Sequence, residues 1–220
     1  MQKQPLLHWS NPARNGERGA VFLWTDQDQP VVVGTCFTYT YDGESRRKHA
    51  FHILRDDAIE ATNRDRVMWT PARANVIRSP LPGVPLPAAT PAQRTSQMRL
   101  LDRKFAVTLT QKDGRQELCR LVPQPLYQFQ SKNGDSGAIF SFAVGTDPEA
   151  LLFLEAREDD TGKRSWQYTF ARFTFYPLAA TFNEAPIWKV EKSASASDNI
   201  LTRPDYQRLP YITFRAEWLD

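Results

Sequence analysis

Residues 31–41 alternate along the chain. Val31, Val33, Thr35, Phe37, Tyr39 and Tyr41 share one face, and Val32, Gly34, Cys36, Thr38 and Thr40 the other, which predicts a β-strand. A short apolar run at 20–24 precedes it across an Asp-Gln-Asp-Gln-Pro turn. Asp42-Gly43-Glu44-Ser45 is a hairpin signal, leading to a strand around 49–55 and another over 59–69. The same order returns later in the chain. Apolar runs at 138–144 and 151–157 flank a turn at Gly145-Thr146-Asp147-Pro148, and strands at 166–175 and 179–188 follow a second turn at 159–162.

The recurrence extends to individual residues. Asn15-Gly16-Glu17-Arg18-Gly19-Ala20-Val21-Phe22 matches Asn133-Gly134-Asp135-Ser136-Gly137-Ala138-Ile139-Phe140 at an offset of 118, with Arg18 against Ser136 the one pair differing in kind. The offset carries Pro30 onto Pro148. It becomes 119 further on, setting Ala61-Thr62 on Ala180-Thr181 and Trp69 on Trp188. Two copies of one four-stranded antiparallel unit are expected, at 5–71 and 125–190. Four strands alone cannot bury an apolar face, so the copies should join into one sheet or barrel or pack as a sandwich, making residues 1–220 one domain.

A different kind of segment, 72–124, separates the copies. Six of the sixteen prolines fall between Pro71 and Pro91 and favour an extended crossing. Thr90-Pro91-Ala92-Gln93 then reads as a capping box with proline in the first turn, and Met98, Leu101 and Phe105 follow at helical spacing. These predict one covering helix over about 91–105. Residues 105–111 and 116–122, around Asp113-Gly114, form a further hairpin. In the tail, 191–220, a Ser/Ala-rich stretch at 192–197 precedes Tyr206, Tyr211, Phe214 and Trp218, which are placed to dock back on the body. The fold class expected is α+β, predominantly antiparallel β.

Composition narrows the classes of function. With 220 residues, 41% hydrophobic and 24% charged, the chain suits a soluble globule; its 26 aromatics and its excess of proline over glycine suit strands and rigid connections. A net charge of +3 does not suggest a nucleic-acid binder, and Arg46-Arg47-Lys48, the densest basic cluster, reads as a solvated turn. No apolar run reaches the length of a membrane-spanning helix. Cys36 and Cys119 lie far apart, and either two free thiols or one disulfide fits the sequence.

Candidate chemistry is sparse. Gly134-Asp135-Ser136-Gly137 reads like the nucleophile loop of a chymotrypsin-like hydrolase, with His49 or His52 as a nominal base. Arg18 at the equivalent place in the first copy argues instead for turn geometry, so no catalytic residue is assigned. His49 and His52 lie three apart on one strand, pointing to opposite faces, and predict no metal site. Either alone could contact a ligand. Carboxylate pairs such as Glu155 with Glu158 read as solvated charge at strand ends. Arg157 and Arg172 interrupt apolar strands, where an arginine forms an ion pair or clamps an anion. The aromatic line Trp166, Tyr168, Phe170 reads as core.

Several segments together resemble a known family. Trp9-Ser10-Asn11-Pro12, His49-Ala50-Phe51-His52, Pro123-Gln124-Pro125-Leu126-Tyr127, Gly145-Thr146-Asp147-Pro148-Glu149, Glu155-Ala156-Arg157 and Trp166-Gln167-Tyr168 are similar to an uncharacterised family abundant in planctomycete bacteria. The resemblance spans residues 6–188 and lends no activity. Its members often begin with an export signal, which implies an extracytoplasmic protein; on the residues alone a cytoplasmic location stays open. The expectation is a non-enzymatic exported binding or interaction domain, without cofactor. Its partner is a protein or small ligand, and its cleft lies between the copies near Tyr127, Arg157, Arg172, His49 and His52. The alternatives are a flavin- or haem-binding split barrel and a hydrolase using Ser136 with a histidine.

Overall fold

The computed structural model describes residues 3–14, 16–56, 58–72, 77–159, 161–193 and 205–215. Strands β1 (Leu7–Asn11), β2 (Glu17–Asp26), β3 (Gln29–Tyr41) and β4 (Glu44–Ile53) form an antiparallel meander in sequence order. A short hairpin of β5 (Ala61–Asn63) and β6 (Arg66–Trp69) follows. Among its described residues the crossing contributes only β7 (Ser79–Pro80) before helix α1 (Pro91–Leu101) and the hairpin β8 (Phe105–Thr110) and β9 (Gln116–Leu121). A second meander runs through β10 (Tyr127–Gln130), β11 (Ser136–Val144), β12 (Asp147–Glu158) and β13 (Arg164–Arg172), followed by the hairpin β14 (Leu178–Phe182) and β15 (Ala185–Val190). Near the end, β16 (Tyr211–Arg215) adds to the free edge of β4. Among the described residues the chain is thus mainly antiparallel β with one α-helix.

The first meander plus β16 makes a five-stranded sheet. The second lies in a nine-stranded one of order β15-β14-β8-β9-β11-β12-β13-β7, with β10 sharing an edge of β11 with β9. The two meanders pack face to face: Val21, Leu23 and Val33 meet Ile139, Leu151, Phe153 and Ala171 in one cluster. The nine-stranded sheet also curls over its other face, so that Phe105 of β8 reaches Phe170 of β13 at 5.9 Å and Trp188 of β15 stacks on Phe170 at 5.0 Å. Helix α1 closes this half-barrel with Met98 and Leu101. The outer face of the five-stranded sheet is covered by the β5–β6 hairpin and the tail, where Val32, Ile53, Trp69, Tyr206, Ile212 and Phe214 cluster. The central strands β11 to β13 are therefore covered on both faces, which explains why strands such as β12 are apolar rather than alternating.

The meanders share their irregularities residue for residue. Trp9 stands opposite Gly19 as Phe129 stands opposite Gly137. The β2–β3 ladder slips register between Trp24 and Thr25, and β11–β12 slips between Phe142 and Ala143, setting Pro30 and Pro148 in matching places. The small hairpins agree too: Ala61 pairs Trp69 with a slip before Thr62, and Ala180 pairs Trp188 with a slip before Thr181. Each glycine admits an aromatic ring onto bare backbone. A Cβ at Gly19 would stand 2.7 Å from the Cys36 carbonyl and 2.9 Å from the Trp9 ring, and one at Gly137 would stand 2.5 Å from the Phe129 ring.

Several elements differ from the sequence expectation. Residues 59–69 and 179–188 are hairpins, not single strands. The polar steps at Arg64 (φ 53°) and at Asn183 and Glu184 (φ 46° and 69°) take the left-handed conformation of a tight turn. Strand β1 in the first unit and β10 in the second replace the fourth strand that each was expected to draw from these segments. The helix stops at Leu101, passes through a 3-10 turn at Asp102–Lys104, and yields Phe105 to β8, where it packs on Phe182 at 4.7 Å. Its cap is as expected, Thr90 Oγ1 accepting from the Gln93 amide. The Arg46-Arg47-Lys48 cluster lies on β4 rather than in a turn. Both cysteines are free thiols. Trp218 and the 194–197 part of the Ser/Ala stretch lie outside the described residues. Among those described, no helix is long and apolar enough to cross a membrane.

Candidate functional site

A cleft of about 400 Å³ opens between the two meanders, beyond the end of their shared core. On the first sheet it begins where β3 passes from buried Val33 to Thr35, Phe37 and Tyr39, which face the space with Trp9. The Trp9 indole is fixed there: its Nε1 donates to Thr35 Oγ1 at 3.2 Å, the threonine hydroxyl donates to the Ala20 carbonyl at 3.0 Å, and Phe37 lies against the ring at 5.6 Å. Lys48 of β4 completes this wall, its Nζ above Tyr39 at 5.9 Å and Phe175 at 5.6 Å. Burial, then Arg215 opposite it on β16, pushes the Lys48 ammonium down to about 8.

The second sheet supplies a charged floor. Asp147 and Glu149 open β12 two residues apart and so share a face. Asp147 Oδ2 accepts from Arg14 Nη1 at 3.1 Å and from Asn11 Nδ2 at 3.4 Å. The same Nη1 stands 2.7 Å from Glu149 Oε1, and the Arg14 guanidinium also lies over the Tyr176 ring at 5.2 Å. Arg14 and Thr174 are close enough to Glu149 to favour its charge, yet among the described residues neither carboxylate oxygen has a partner in hydrogen-bond geometry, and its side chain is only 1% exposed. One guanidinium thus serves two buried carboxylates. Burial first, and then repulsion from Asp147, pushes Glu149 up to about 8; burial pushes Asp147 up to about 7 against the pull of Arg14. At neutral pH the pair holds a proton that isolated carboxylates would have released.

Linkage gives this arrangement a measurable sign. In the unfolded chain Glu149 releases its proton near the ordinary glutamate pKa, whereas the folded protein keeps it until about 8. Stability is therefore lost as pH rises through that window. Glu149→Gln, which cannot ionise, should melt at the same temperature as the parent near pH 4.5. It should gain an increasing advantage up to pH 8 and a constant one above. Thermal melts of both proteins across this range check it, and parallel curves would show that Glu149 titrates normally.

The residues expected to meet in one cleft do not do so. Tyr127 lies between the two units, its hydroxyl donating to the Asp28 carbonyl at 3.0 Å. Arg157 sits at the far end of β12, paired with Glu155 at 3.4 Å and 4.0 Å from Asp135; Glu155, buried rather than solvated, also pairs with Arg78 at 3.1 Å. Among the described residues Arg172 forms no ion pair, and it spends its three nitrogens on the carbonyls of Thr174, Glu191 and Tyr176 at 2.7 to 2.8 Å. It does meet His52: both border a second cavity of about 620 Å³, and Tyr211 lies beside each. The His52 Nδ1 donates to the Ile53 carbonyl at 2.6 Å, and burial drives its pKa down to about 4. His49 stacks on Phe214 at 5.7 Å.

Ser136 is held as a structural residue. Its Oγ accepts from Arg94 Nε at 2.7 Å, and its strand neighbours are Gln130 and Ala156, while His49 and His52 belong to the other sheet. No cluster of three or more histidine, cysteine or acidic residues suited to a metal ion occurs among the described residues. Sequence reasoning missed Arg14, Lys48, Asp147 and Glu149. One signal was available, since the first copy has Gln29 and Val31 where the second has Asp147 and Glu149. An acid that replaces a valine at the head of an apolar strand needs an explanation. No family model matches the chain, and no curated protein or solved structure matches it significantly.

Proposed function

We propose that the protein is a binding domain whose small-molecule ligand occupies the cleft between the two meanders. The observation that carries this reading is the cleft itself: about 400 Å³, within the usual range of ligand pockets, with aromatic walls and a few buried charged groups converging on it. Tyr39, Phe37 and Phe175 offer apolar area to a ligand body, and Lys48, Asp147 and Glu149 offer fixed polar contacts. The matching registers support an origin of the two meanders in one duplicated unit. In that view the site arose where the second copy exchanged Val31 for Glu149. Resemblance to exported planctomycete proteins supports an extracytoplasmic location, testable by fractionating the native host.

Ligand-observed NMR with a panel of small aromatic acids, amines and neutral compounds tests the cleft. Binders should raise the melting temperature and lose affinity in a Tyr39→Ala variant. A panel with no binder, or binders indifferent to Tyr39→Ala, would contradict the reading. The proton held by Asp147 and Glu149 favours one second reading, in which it is transferred to a bound ligand as general-acid chemistry. New product signals from a binder, absent with Glu149→Gln, would establish that version. A flavin or haem carrier would show a visible absorption band; the proposed domain is colourless.

A further inference from the structure

The aromatic line of β13 ends on a charge. Trp166, Tyr168, Phe170 and Arg172 follow at every second residue and so share one face, of which the first three belong to the core of the half-barrel. The curl of the nine-stranded sheet stops short of closure there. Among the described residues β13 and β15 share no ladder; Tyr168 Oη reaches across to the Ile187 carbonyl at 3.4 Å, and Trp188 stacks on Phe170. The second cavity, of about 620 Å³, borders this gap, with Tyr168, Phe170, Ile187, Trp188, Val190 and Leu209 as apolar walls.

Arg172, 8% exposed, borders the same space and rests over the Tyr211 ring at 5.4 Å. Its partners are three carbonyls, whose dipoles orient a guanidinium without cancelling its charge. Burial lowers its pKa, and Tyr211 is the one group among the described residues that opposes that shift. A buried cation without a counter-ion is costly. Of the five N–H groups of a guanidinium, the three carbonyls take three and leave one on each terminal nitrogen, the number that a bidentate carboxylate accepts. The rest of the lining has the same sign. Lys189, which pairs with Glu191 at 2.7 Å, and Lys192 border the cavity, His52 is kept neutral by burial, and no acidic side chain lines it among the described residues.

We infer that this cavity binds an apolar chain carrying a carboxylate, as in a medium-chain fatty acid, with the head on Arg172 and the chain along the aromatic walls. The site is separate from the cleft between the meanders and does not depend on that cleft being occupied. A cationic chain meets Arg172 and two lysines. A neutral chain covers the walls and leaves the guanidinium uncompensated, and a bare anion does the reverse. The small compounds offered to the first cleft have no such chain.

Four probes separate these contributions at pH 7: octanoate with acid and chain, 1-octanol with the chain alone, octylamine with the opposite charge, and acetate with the acid alone. Calorimetric titration should give octanoate the highest affinity, by about tenfold or more over each of the others. Its amide and methyl shifts should centre on Phe170, Arg172, Ile187 and Trp188 and leave Thr35 and Phe37 unmoved. Arg172→Met should bring octanoate down to the affinity of 1-octanol without changing the latter. Should that variant lack a cooperative melt, the probe ratios of the parent protein decide the charge assignment, and Trp188→Ala should weaken octanoate and 1-octanol together. Failure of octanoate to bind, equal binding by 1-octanol or octylamine, or unchanged octanoate affinity in a folded Arg172→Met overturns the inference. Octanoate shifts centred on Thr35 and Phe37 would overturn it as well, while leaving the first cleft standing as a ligand site.

Discussion

Arg94→Met should destabilise the protein by about 3 to 5 kcal/mol, although the replacement keeps an unbranched apolar stem. Arg94 is 2% exposed, and every nitrogen of its guanidinium is used. Nε donates to Ser136 Oγ at 2.7 Å, Nη1 to the carbonyls of Ala88 and Ala89 at 3.1 and 2.9 Å, and Nη2 to the Gly134 carbonyl at 3.0 Å. One side chain thus ties the end of the crossing, the first turn of α1 and the entrance of β11. Met would keep the packing of the stem but vacate the place of the guanidinium and leave those acceptors without their donor. Urea unfolding should show the loss as a lower midpoint with an unchanged slope. Ser136→Ala removes one acceptor and should cost only about 1 kcal/mol. A loss below 1 kcal/mol for Arg94→Met would mean that the carbonyls are satisfied by water and that α1 is not pinned here.

Trp69→Ala should cost a similar amount, about 3 to 5 kcal/mol, from the volume removed beneath the β5–β6 hairpin. The indole is 1% exposed, packs near Phe51 at 6.3 Å and donates from Nε1 to the Leu209 carbonyl at 2.8 Å. Around it, the amides of Thr70 and Ala72 bond to the carbonyls of Gln207 and Arg208. Truncation therefore strikes a cavity and the docking of the tail together. Hydrogen exchange should speed up in β16 before the rest of the five-stranded sheet. Trp188, at the matching place in the β14–β15 hairpin, is half-buried and stacked on Phe170, so Trp188→Ala should cost clearly less. Equal losses at the two positions would contradict the difference in burial.

The fold was legible where local rules and tertiary packing agree. Alternation at 31–41, the Asp42-Gly43 turn and the Thr90 cap all rest on short-range geometry, and each has its counterpart in the structure. The hairpins at 61–69 and 178–190 were harder to read because their turns use Arg64, Asn183 and Glu184 in the left-handed region without glycine. Arg94 was invisible as a core residue: a charged side chain counts against burial unless its partners are known, and they come from segments 5 to 42 positions away. The site shows the same limit. Lys48 in an Arg-Arg-Lys run and Asp147 beside a turn both look solvated in sequence. Lys48 is buried because β16 pairs beside it and Phe175 packs against it, and Asp147 because Asn11 and Arg14 reach it from the other meander. Arg157 and Arg172 stood out for the right physical reason, an arginine among apolar neighbours, and the structure uses both to satisfy its own carboxylates and carbonyls.

Amide and methyl NMR spectra recorded during titration with the tightest binder of the small-molecule panel test the ligand cleft most directly. Shifts confined to Thr35, Phe37, Lys48, Glu149 and Phe175, saturating with one binding constant, are the predicted result. Shifts centred on the His52 and Arg172 cavity, or scattered over the outer faces without saturation, would contradict it.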